Sequence, residues 1–254
     1  MRLALFSDIH ANRQAFDACL EHAGRAGVDQ YAFLGDMVGY GADPAYVVRR
    51  VMALAAQGAL VVKGNHDQYA SDEQGSARLL GLTGIGWTRA QLGADELAFL
   101  AALPLTLRAG SVLLVHASAD APSSWRYVDS TTQAALSLDG ACLPPDGHAD
   151  VRYVFGGHVH MQTLYFRGSA GKLMQLMPTP GEPVPVPRHN HWLATVGSVG
   201  QPRDGSADAM YALLDDARQQ LTFHRVPYDV QAAAAAIRAT PMPTFFADRL
   251  EIGR

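Results

Sequence analysis

Apolar and polar residues alternate in blocks along the first 65 residues, and the period of the pattern changes from block to block. Three short apolar runs, typical of buried strands, lie at residues 3–7, 31–34 and 60–62. Between them, residues 12–26 and 44 to about 57 carry apolar side chains at helical spacing, with Asn12 and Asp43 as candidate caps. This β-α-β-α-β order predicts a parallel sheet with right-handed crossovers.

The middle of the chain has a different pattern. Residues 71–103 show helical spacing, and two short apolar runs at 105–107 and 112–115 then predict a β-hairpin. Residues 118–147 are polar and show little periodicity, apart from a predicted short helix at 131–136. An apolar strand at 151–155 follows this region.

After residue 160 most of the chain is predicted to be extended. The predicted strands are residues 163–167, 172–177, 192–196, 210–215 and 220–226. Residues 178–187 include five prolines and predict an extended loop. Residues 229–254 open with an alanine run and predict one C-terminal helix followed by a tail. We therefore expect one domain over residues 1–254, an α/β sandwich whose second half supplies a second sheet.

The composition narrows the class of protein. The chain has 254 residues, 48% hydrophobic and 17% charged, which is typical of a soluble globular protein with one sizeable core. Its net charge of −4 argues against nucleic acid or an anionic membrane as the main partner. The two cysteines form neither a disulfide framework nor a metal motif. No apolar run approaches the ~20 residues of a membrane span, and no signal segment precedes the first strand, so we expect a cytoplasmic protein.

Five short polar motifs each follow a predicted strand, and strand ends are where an open α/β sheet presents its ligands. The motifs are Asp8-Ile9-His10, Gly35-Asp36, Gly64-Asn65-His66-Asp67, His116 and Gly157-His158-Val159-His160. They contribute seven candidate metal ligands, namely Asp8, His10, Asp36, Asn65, His116, His158 and His160. Carboxylate, amide and imidazole donors suit divalent cations such as Mn²⁺, Fe²⁺ or Zn²⁺.

In this order the motifs resemble those of the calcineurin-like metallophosphoesterases, over residues 1 to about 226. The resemblance is closer to small prokaryotic predicted phosphodiesterases than to protein Ser/Thr phosphatases. The latter read GDxVDRG at the second motif, where this chain reads GDMVGYG. One departure is Ala117, where many relatives have glycine. The resemblance implies a metallo-dependent phosphatase fold, a four-layer α-β-β-α sandwich of two mixed sheets.

The resemblance also implies a dinuclear site with the cations about 3.5–4 Å apart, bridged by Asp36. Asp8, His10 and His160 would complete the first metal site, and Asn65, His116 and His158 the second. Manganese or an iron–manganese pair is favoured, with zinc as an alternative. Two divalent cations carry a total charge of about +4. The two aspartates and a bridging hydroxide reduce the net charge of the site to about +1, which suits a phosphate anion. Attack by that hydroxide would hydrolyse a phosphodiester or phosphomonoester.

Three further residues are assigned roles around the metals. His66 is the candidate general acid, Asp67 is expected to orient its imidazole, and Asn65 is also placed at the substrate. Arg203 follows a glycine-containing turn and is predicted to contact the phosphate, although it could equally pin its own loop. Gly35, Gly64 and Gly157 precede ligands, and we expect them to supply positive φ angles.

The expected partner is a small phosphorylated substrate, with nucleotides among the candidates. Three alternatives remain open at the level of sequence: a dinucleoside-polyphosphate hydrolase, a protein Ser/Thr phosphatase, and a non-catalytic metal-binding scaffold on the same fold. Metal content separates the scaffold from the enzymes, and a panel of phosphoesters separates the enzymes from one another. The sequence does not predict the oligomeric state or the role of residues 178–187.

Overall fold

A computed structural model of the protein describes residues 1–72, 84–142, 150–168 and 171–254. The strands within these ranges are β1 (Arg2–Phe6), β2 (Gln30–Phe33), β3 (Leu60–Val61), β4 (Thr106–Ala109), β5 (Val112–Val115), β6 (Tyr153–Gly156), β7 (Gln162–Arg167), β8 (Leu173–Leu176), β9 (Pro183–Pro185), β10 (His191–Val196), β11 (Ala209–Asp215) and β12 (Gln220–Val226). The helices are α1 (Arg13–Arg25), α2 (Pro44–Ala55), α3 (Asn65–Ser71), α4 (Ile85–Ala90), α5 (Ala94–Ala102), α6 (Thr131–Cys142), α7 (Val230–Arg238) and α8 (Phe245–Ile252).

The strands form two mixed six-stranded sheets. Sheet 1 has the order β3-β2-β1-β11-β12-β9, with β1, β2 and β3 parallel and the other pairs antiparallel. Sheet 2 has the order β4-β5-β6-β10-β7-β8, with β5, β6 and β10 parallel to one another. The parallel strands of both sheets end close to the residues of the five polar motifs.

The alternation of side chains along β1 explains how four layers form. Leu3 and Leu5 point into an apolar layer between the two sheets, together with side chains such as Tyr153 and Phe155 from β6. Ala4 and Phe6 point the other way and pack against α1 and α2. On the outer face of sheet 2, α6 covers side chains including Tyr165. The predicted α-β-β-α sandwich of two mixed sheets is confirmed.

Most of the first half follows the predicted pattern. The β-α-β-α-β unit is present, and Asn12 caps α1 by accepting a hydrogen bond from the Ala15 N–H at 3.1 Å. The β4–β5 hairpin is antiparallel as predicted. The helix predicted at 131–136 extends to Cys142 because Leu138 and Ala141 continue its buried face. Part of the predicted helical region, residues 73–83, lies outside the described residues.

Two predictions for the second half need correction. Residues 229–254 form two helices rather than one helix and a tail, because Phe246 and Leu250 bury a second apolar face against α7. The proline-rich segment includes a short edge strand, β9, which pairs with β12. Proline is tolerated there because an edge strand pairs on one side only, so some of its residues need no N–H group for hydrogen bonding. No helix in the described ranges is long and apolar enough to cross a membrane.

Candidate metal centre

The seven candidate ligands lie together at the carboxyl ends of parallel strands from both sheets. Sheet 1 contributes Asp8 and His10 after β1, Asp36 after β2, and Asn65 at the start of α3. Sheet 2 contributes His116 after β5, and His158 and His160 after β6. All seven side chains are buried, and none is more than 8% exposed. The fold therefore gathers the seven donors into one small buried region, where the strand ends of the two sheets meet.

The backbone at these residues has an uncommon conformation. Five of the ligands have positive φ, with values between 49° and 67°: Asp8, His10, Asp36, His158 and His160. Positive φ is uncommon for residues other than glycine, although Asp and His tolerate it better than most. Such strain clusters at functional sites, where surrounding contacts hold it in place.

The glycines before the ligands serve mainly to provide space. Of the three that were expected to have positive φ, only Gly35 does so, at 91°. A Cβ atom on Gly64 would lie 2.1 Å from the Asp36 Oδ1 atom, and one on Gly157 would lie 2.3 Å from the Asp8 Oδ2 atom. Both glycines thus allow the main chain to approach a ligand carboxylate, and five of the seven ligands themselves adopt the left-handed conformation.

One group of ligand atoms gathers around Asp8. The Nε2 atoms of His10 and His160 are 3.1 Å apart. The Asp8 Oδ1 atom lies 3.2 Å from the His160 Nε2 atom and 3.7 Å from the His10 Nε2 atom. The ligand atoms of these three residues all lie within 4.8 Å of one another, which is close enough for one cation to contact each of them.

A second group gathers around His116. Its Nε2 atom lies 3.2 Å from the His158 Nδ1 atom, 3.2 Å from the Asn65 Oδ1 atom and 3.3 Å from the Asp36 Oδ2 atom. The same Asp36 oxygen lies 3.8 Å from the His10 Nε2 atom of the first group. Asp36 is therefore placed between the two groups, as the bridging role requires.

The outer nitrogen of each imidazole fixes its tautomer, because each one lies beside a main-chain carbonyl, which only accepts hydrogen bonds. The pairs are His10 Nδ1 with Val38 O at 3.0 Å, His160 Nδ1 with Gln201 O at 2.6 Å, His116 Nδ1 with Leu34 O at 2.7 Å, and His158 Nε2 with Trp125 O at 2.9 Å. In the neutral rings each inner nitrogen therefore presents a lone pair, and the inner nitrogens of His10 and His160 face each other at 3.1 Å. A cation between them satisfies both, so the donor set fits a metal pair.

The two carboxylates are oriented in the same way. Asp8 Oδ2 accepts a hydrogen bond from the His158 N–H at 2.8 Å, and Asp36 Oδ1 accepts one from the His66 N–H at 2.8 Å. The other oxygen of each carboxylate faces the imidazoles, and the Asp8 Oδ1 atom is buried without a hydrogen-bond donor. A buried, unpaired carboxylate oxygen is costly unless a cation contacts it.

Protonation of the imidazoles follows from their burial and from Asp36. Burial lowers the pKa of His10 far below its ordinary value and lowers the pKa of His158 to about 4. Burial also opposes a charge on His116, but the Asp36 carboxylate raises its pKa to about 9. Without metal, His116 thus carries a proton at neutral pH, and a metal must displace that proton.

His66 lies at the edge of the cluster. Its ring centroid is 5.0 Å from that of His10 and 4.5 Å from that of Tyr40, and its Nδ1 atom is buried without a partner. One of its nitrogens also lies within 4.8 Å of ligand atoms of His10 and Asp36. Burial lowers the pKa of His66, against the opposing effect of the Asp36 carboxylate, and so favours the neutral imidazole.

The expected role of Asp67 needs correction, because no hydrogen bond joins its carboxylate to the His66 imidazole. Its oxygens accept three main-chain hydrogen bonds, from Asp36 at 2.8 Å, Met37 at 2.9 Å and Gly64 at 3.0 Å. Asp67 therefore holds the loop that carries Asp36 against the start of α3. Burial and the Asp36 carboxylate raise the pKa of Asp67 to about 7, against the opposing effect of the Gly64 and Met37 N–H groups.

Arg203 lies on the rim of the cluster, beside Tyr40. Its guanidinium donates to the Gln201 Oε1 atom at 2.8 Å, and its Cζ atom is 6.0 Å from the centre of the Tyr40 ring. The Tyr40 ring in turn contacts His10, with centroids 4.6 Å apart. Arg203 thus lies one ring away from the metal ligands, and its prediction as a phosphate contact stays a prediction.

Two aromatic residues beside the site were not singled out from the sequence. Trp125 accepts the hydrogen bond from His158 through its carbonyl, and Tyr127 stacks on the His158 ring with centroids 4.1 Å apart. Both lie in the polar region 118–147, where periodicity carries no information. The available signal was the presence of Trp125-Arg126-Tyr127 in an otherwise polar stretch.

Comparisons with known proteins agree with this geometry. The family model of the calcineurin-like phosphoesterase superfamily domain matches residues 1–218. The uncharacterized protein MJ0912 of Methanocaldococcus jannaschii is 30% identical over 262 aligned positions, covering 99% of this chain and 98% of that protein. A metallophosphoesterase from Sphaerobacter thermophilus is 33% identical with a TM-score of 0.85, covering 100% of this chain and 99% of the other.

A third protein, PH1004 from Pyrococcus horikoshii, shares the fold at 18% identity, with a TM-score of 0.76 and coverage of 100% of this chain and 98% of that one. The match of the family model spans every predicted metal ligand, from Asp8 to His160. The M. jannaschii and S. thermophilus relatives cover nearly the whole chain in both directions. This chain belongs to the calcineurin-like phosphoesterase superfamily.

Proposed function

We propose that this protein is a metal-dependent hydrolase of a small phosphodiester or phosphomonoester. The observation that carries the proposal is the convergence of donor atoms: two pairs of imidazole nitrogens at 3.1 Å and 3.2 Å, with two carboxylates beside them. Asp8, His10, Asp36 and His160 would hold one divalent cation, and Asp36, Asn65, His116 and His158 the other. Two such cations would supply a water of lowered pKa and a positive charge beside the phosphate.

The chain's own side chains divide the remaining work. Hydrolysis breaks the bond between phosphorus and the ester oxygen, and the departing alkoxide must take up a proton. His66 is the candidate donor, because its buried Nδ1 atom has no other partner. An arriving phosphate anion favours protonation of His66, which burial alone opposes. Arg203 on the rim would hold a phosphate oxygen through its guanidinium.

Metal content and turnover test the proposal together. We expect about two equivalents of manganese per chain after loading, and hydrolysis of at least one nitrophenyl phosphoester by the loaded protein. His116→Ala should lose metal and turnover, whereas His189→Ala should change neither, since His189 is an exposed loop histidine. A chain that binds two metals but hydrolyses no phosphoester in a panel of monoesters, diesters and dinucleoside polyphosphates would be a scaffold.

The role of His66 is tested by the leaving group. His66→Ala should retain both metals and lose roughly 10²–10⁴-fold in kcat on an alkyl phosphoester, but little on a nitrophenyl ester, because nitrophenolate leaves without a proton. Loss of one metal would instead assign His66 to the coordination of that metal. Equal losses on both esters with full metal content would show that His66 binds phosphate.

A further inference from the structure

An exposed aromatic ring lies directly against the metal-ligand cluster, on the loop between β5 and α6. The phenol ring of Tyr127 stacks on the imidazole of His158, with centroids 4.1 Å apart and planes inclined by 12°. Although His158 covers one face of the ring, Tyr127 is 47% exposed. Its opposite face is therefore open to solvent, next to one of the most buried polar clusters of the described chain.

The loop that carries Tyr127 is anchored to the cluster on both sides. The Trp125 carbonyl accepts the hydrogen bond from His158 Nε2 at 2.9 Å, and the Trp125 ring meets His116 edge-on with centroids 5.9 Å apart. Arg126 forms an ion pair with Asp120 at 2.7 Å. These contacts fix the position of the Tyr127 ring relative to the ligands, so its open face is a preorganised surface.

Tyr127 and Tyr40 lie beside different ligands of the cluster. Tyr127 stacks on His158, whereas the centroid of the Tyr40 ring lies 4.6 Å from that of His10. Tyr40 also contacts His66 and lies beneath Arg203. Tyr127 therefore borders the second group of candidate ligands, and Tyr40 and Arg203 border the first.

Because His158 covers one face of the Tyr127 ring and the residue is half exposed, a second ring has room to stack on the other face. An aromatic face beside a phosphate site has a well-defined use, since bases stack on such faces regardless of their identity. In a nucleotide one sugar separates the base from the phosphate. The open face of Tyr127 is likewise close to the candidate ligand atoms, because the ring stacks on the imidazole of His158.

We propose that Tyr127 is a specificity-determining residue that stacks on a nucleobase of the substrate, so that the phosphoester cleaved at the cluster belongs to a nucleotide. The inference rests on the proposed function for the position of the phosphate. Stacking makes no hydrogen bonds to the edge of the base. We therefore expect the affinities for purine and pyrimidine nucleotides to differ only through the strength of stacking.

Calorimetric binding of phosphonate analogues to the manganese-loaded protein tests the inference without turnover, because the P–C bond of a phosphonate is not hydrolysed. The phosphonate analogues of adenosine 5′-monophosphate and ribose 5-phosphate share the sugar and the phosphonate and differ in the base. We expect the nucleotide analogue to bind at least ~10-fold more tightly, within the range of base–aromatic stacking. Tyr127→Ala should reduce that ratio to about 1 with unchanged affinity for the ribose analogue, and Tyr127→Phe should preserve it. Tyr46→Ala is the matched control, because Tyr46 lies on α2 beside Asp17.

Several results would overturn the inference. Equal affinity of the wild-type protein for the two ligands, or no measurable binding of the nucleotide analogue, would remove the base subsite. An equal loss of both affinities in Tyr127→Ala, with reduced metal content, would show that Tyr127 only supports His158. The result can be separated from the proposed function. A protein that hydrolyses nitrophenyl esters but shows no base preference would contradict only the base subsite. A protein that shows the preference but hydrolyses no phosphoester would contradict only the proposed function.

Discussion

At the scale of single residues, the ligands combine two unfavourable features. Five of them have positive φ, which costs of order 1 kcal/mol or more per residue outside glycine. The inward nitrogens of His10 and His160 face each other at 3.1 Å, although their outer nitrogens already donate to carbonyls. Divalent cations would turn this repulsion into coordination, so the metal-free chain is the less favourable state of these side chains.

The first prediction concerns the residue shared by both groups. Asp36→Asn removes a negative charge between the two metals, while the amide keeps nearly the same shape. We expect loss of at least one metal per chain, and at least ~10²-fold lower kcat on whichever nitrophenyl ester the wild-type protein hydrolyses. Metal analysis and steady-state kinetics measure the two effects. A variant that keeps two metals and full turnover would show that Asp36 does not bridge them.

A second prediction follows from the protonation of His116. Its pKa of about 9 in the metal-free chain means that a metal must displace a proton below that pH. The apparent metal affinity should therefore rise about 10-fold per pH unit between pH 6 and 8, if one proton is released on binding. Calorimetric titration at several pH values, in buffers of different ionisation enthalpy, measures both quantities. An affinity that does not change over this range would argue against His116 as a ligand.

At the scale of elements, the site depends on loops that hold one another. The loop after β1 runs beside the loop after β2, through hydrogen bonds from His10 N to Asp36 O at 2.9 Å and from Ala11 N to Met37 O at 2.9 Å. Asp67 ties the second loop to α3 through three main-chain N–H groups. The positions of the ligands are thus set by main-chain contacts between neighbouring strand ends.

A third prediction separates this clamping role of Asp67 from catalysis. Asp67→Ala leaves three buried N–H groups without an acceptor, each worth about 1–3 kcal/mol. We expect the free energy of unfolding to fall by at least about 3 kcal/mol in denaturant titrations. Asp95→Ala, at an exposed aspartate in the first turn of α5, should change it far less. A stable Asp67→Ala protein with lowered turnover would restore the role of orienting His66.

The sequence predicted the strands, the helices and the set of side chains that gather into the polar cluster better than the loops between them. Strand runs such as 3–7 and 151–155 are visible because burial on both faces leaves an uninterrupted apolar signal. The polar partners of a side chain leave no such signal. Asp67 could be placed beside His66 by sequence, but only the fold shows that its carboxylate turns toward Asp36, Met37 and Gly64. Tyr127 was missed for the same reason.

At the scale of the whole molecule, the ligands join the two halves of the sandwich. Asp8, Asp36 and Asn65 come from sheet 1, whereas His116 and His158 come from sheet 2. The apolar layer between the sheets supplies most of the adhesion, with Tyr153, Phe155 and their neighbours fully buried. Metals bound at the common edge would add a link between the sheets that the unfolded chain does not have.

A fourth prediction follows from this link. Removal of metal by a chelator should lower the melting temperature by about 5 °C or more, since a ligand at 100 times its Kd stabilises by about 2.7 kcal/mol. Hydrogen exchange should increase most at the carboxyl ends of β1, β2, β5 and β6. Scanning calorimetry with and without chelator, and again after metal is restored, measures the shift. An unchanged melting temperature would mean that the two sheets hold together without the metals.

The strand order also constrains how the chain can be assembled during synthesis. β1, made first, has β11 as its antiparallel neighbour, and β11 begins only at Ala209. Until that segment leaves the ribosome, one edge of β1 has no partner and the β1–β2–β3 unit stands as an open half-sheet. The last ligand, His160, and the strand β10 that pairs with β6 also come late. The candidate metal site therefore cannot be completed piece by piece on a nascent chain, and metal loading would belong to the final stage of folding, after most of the protein has been made.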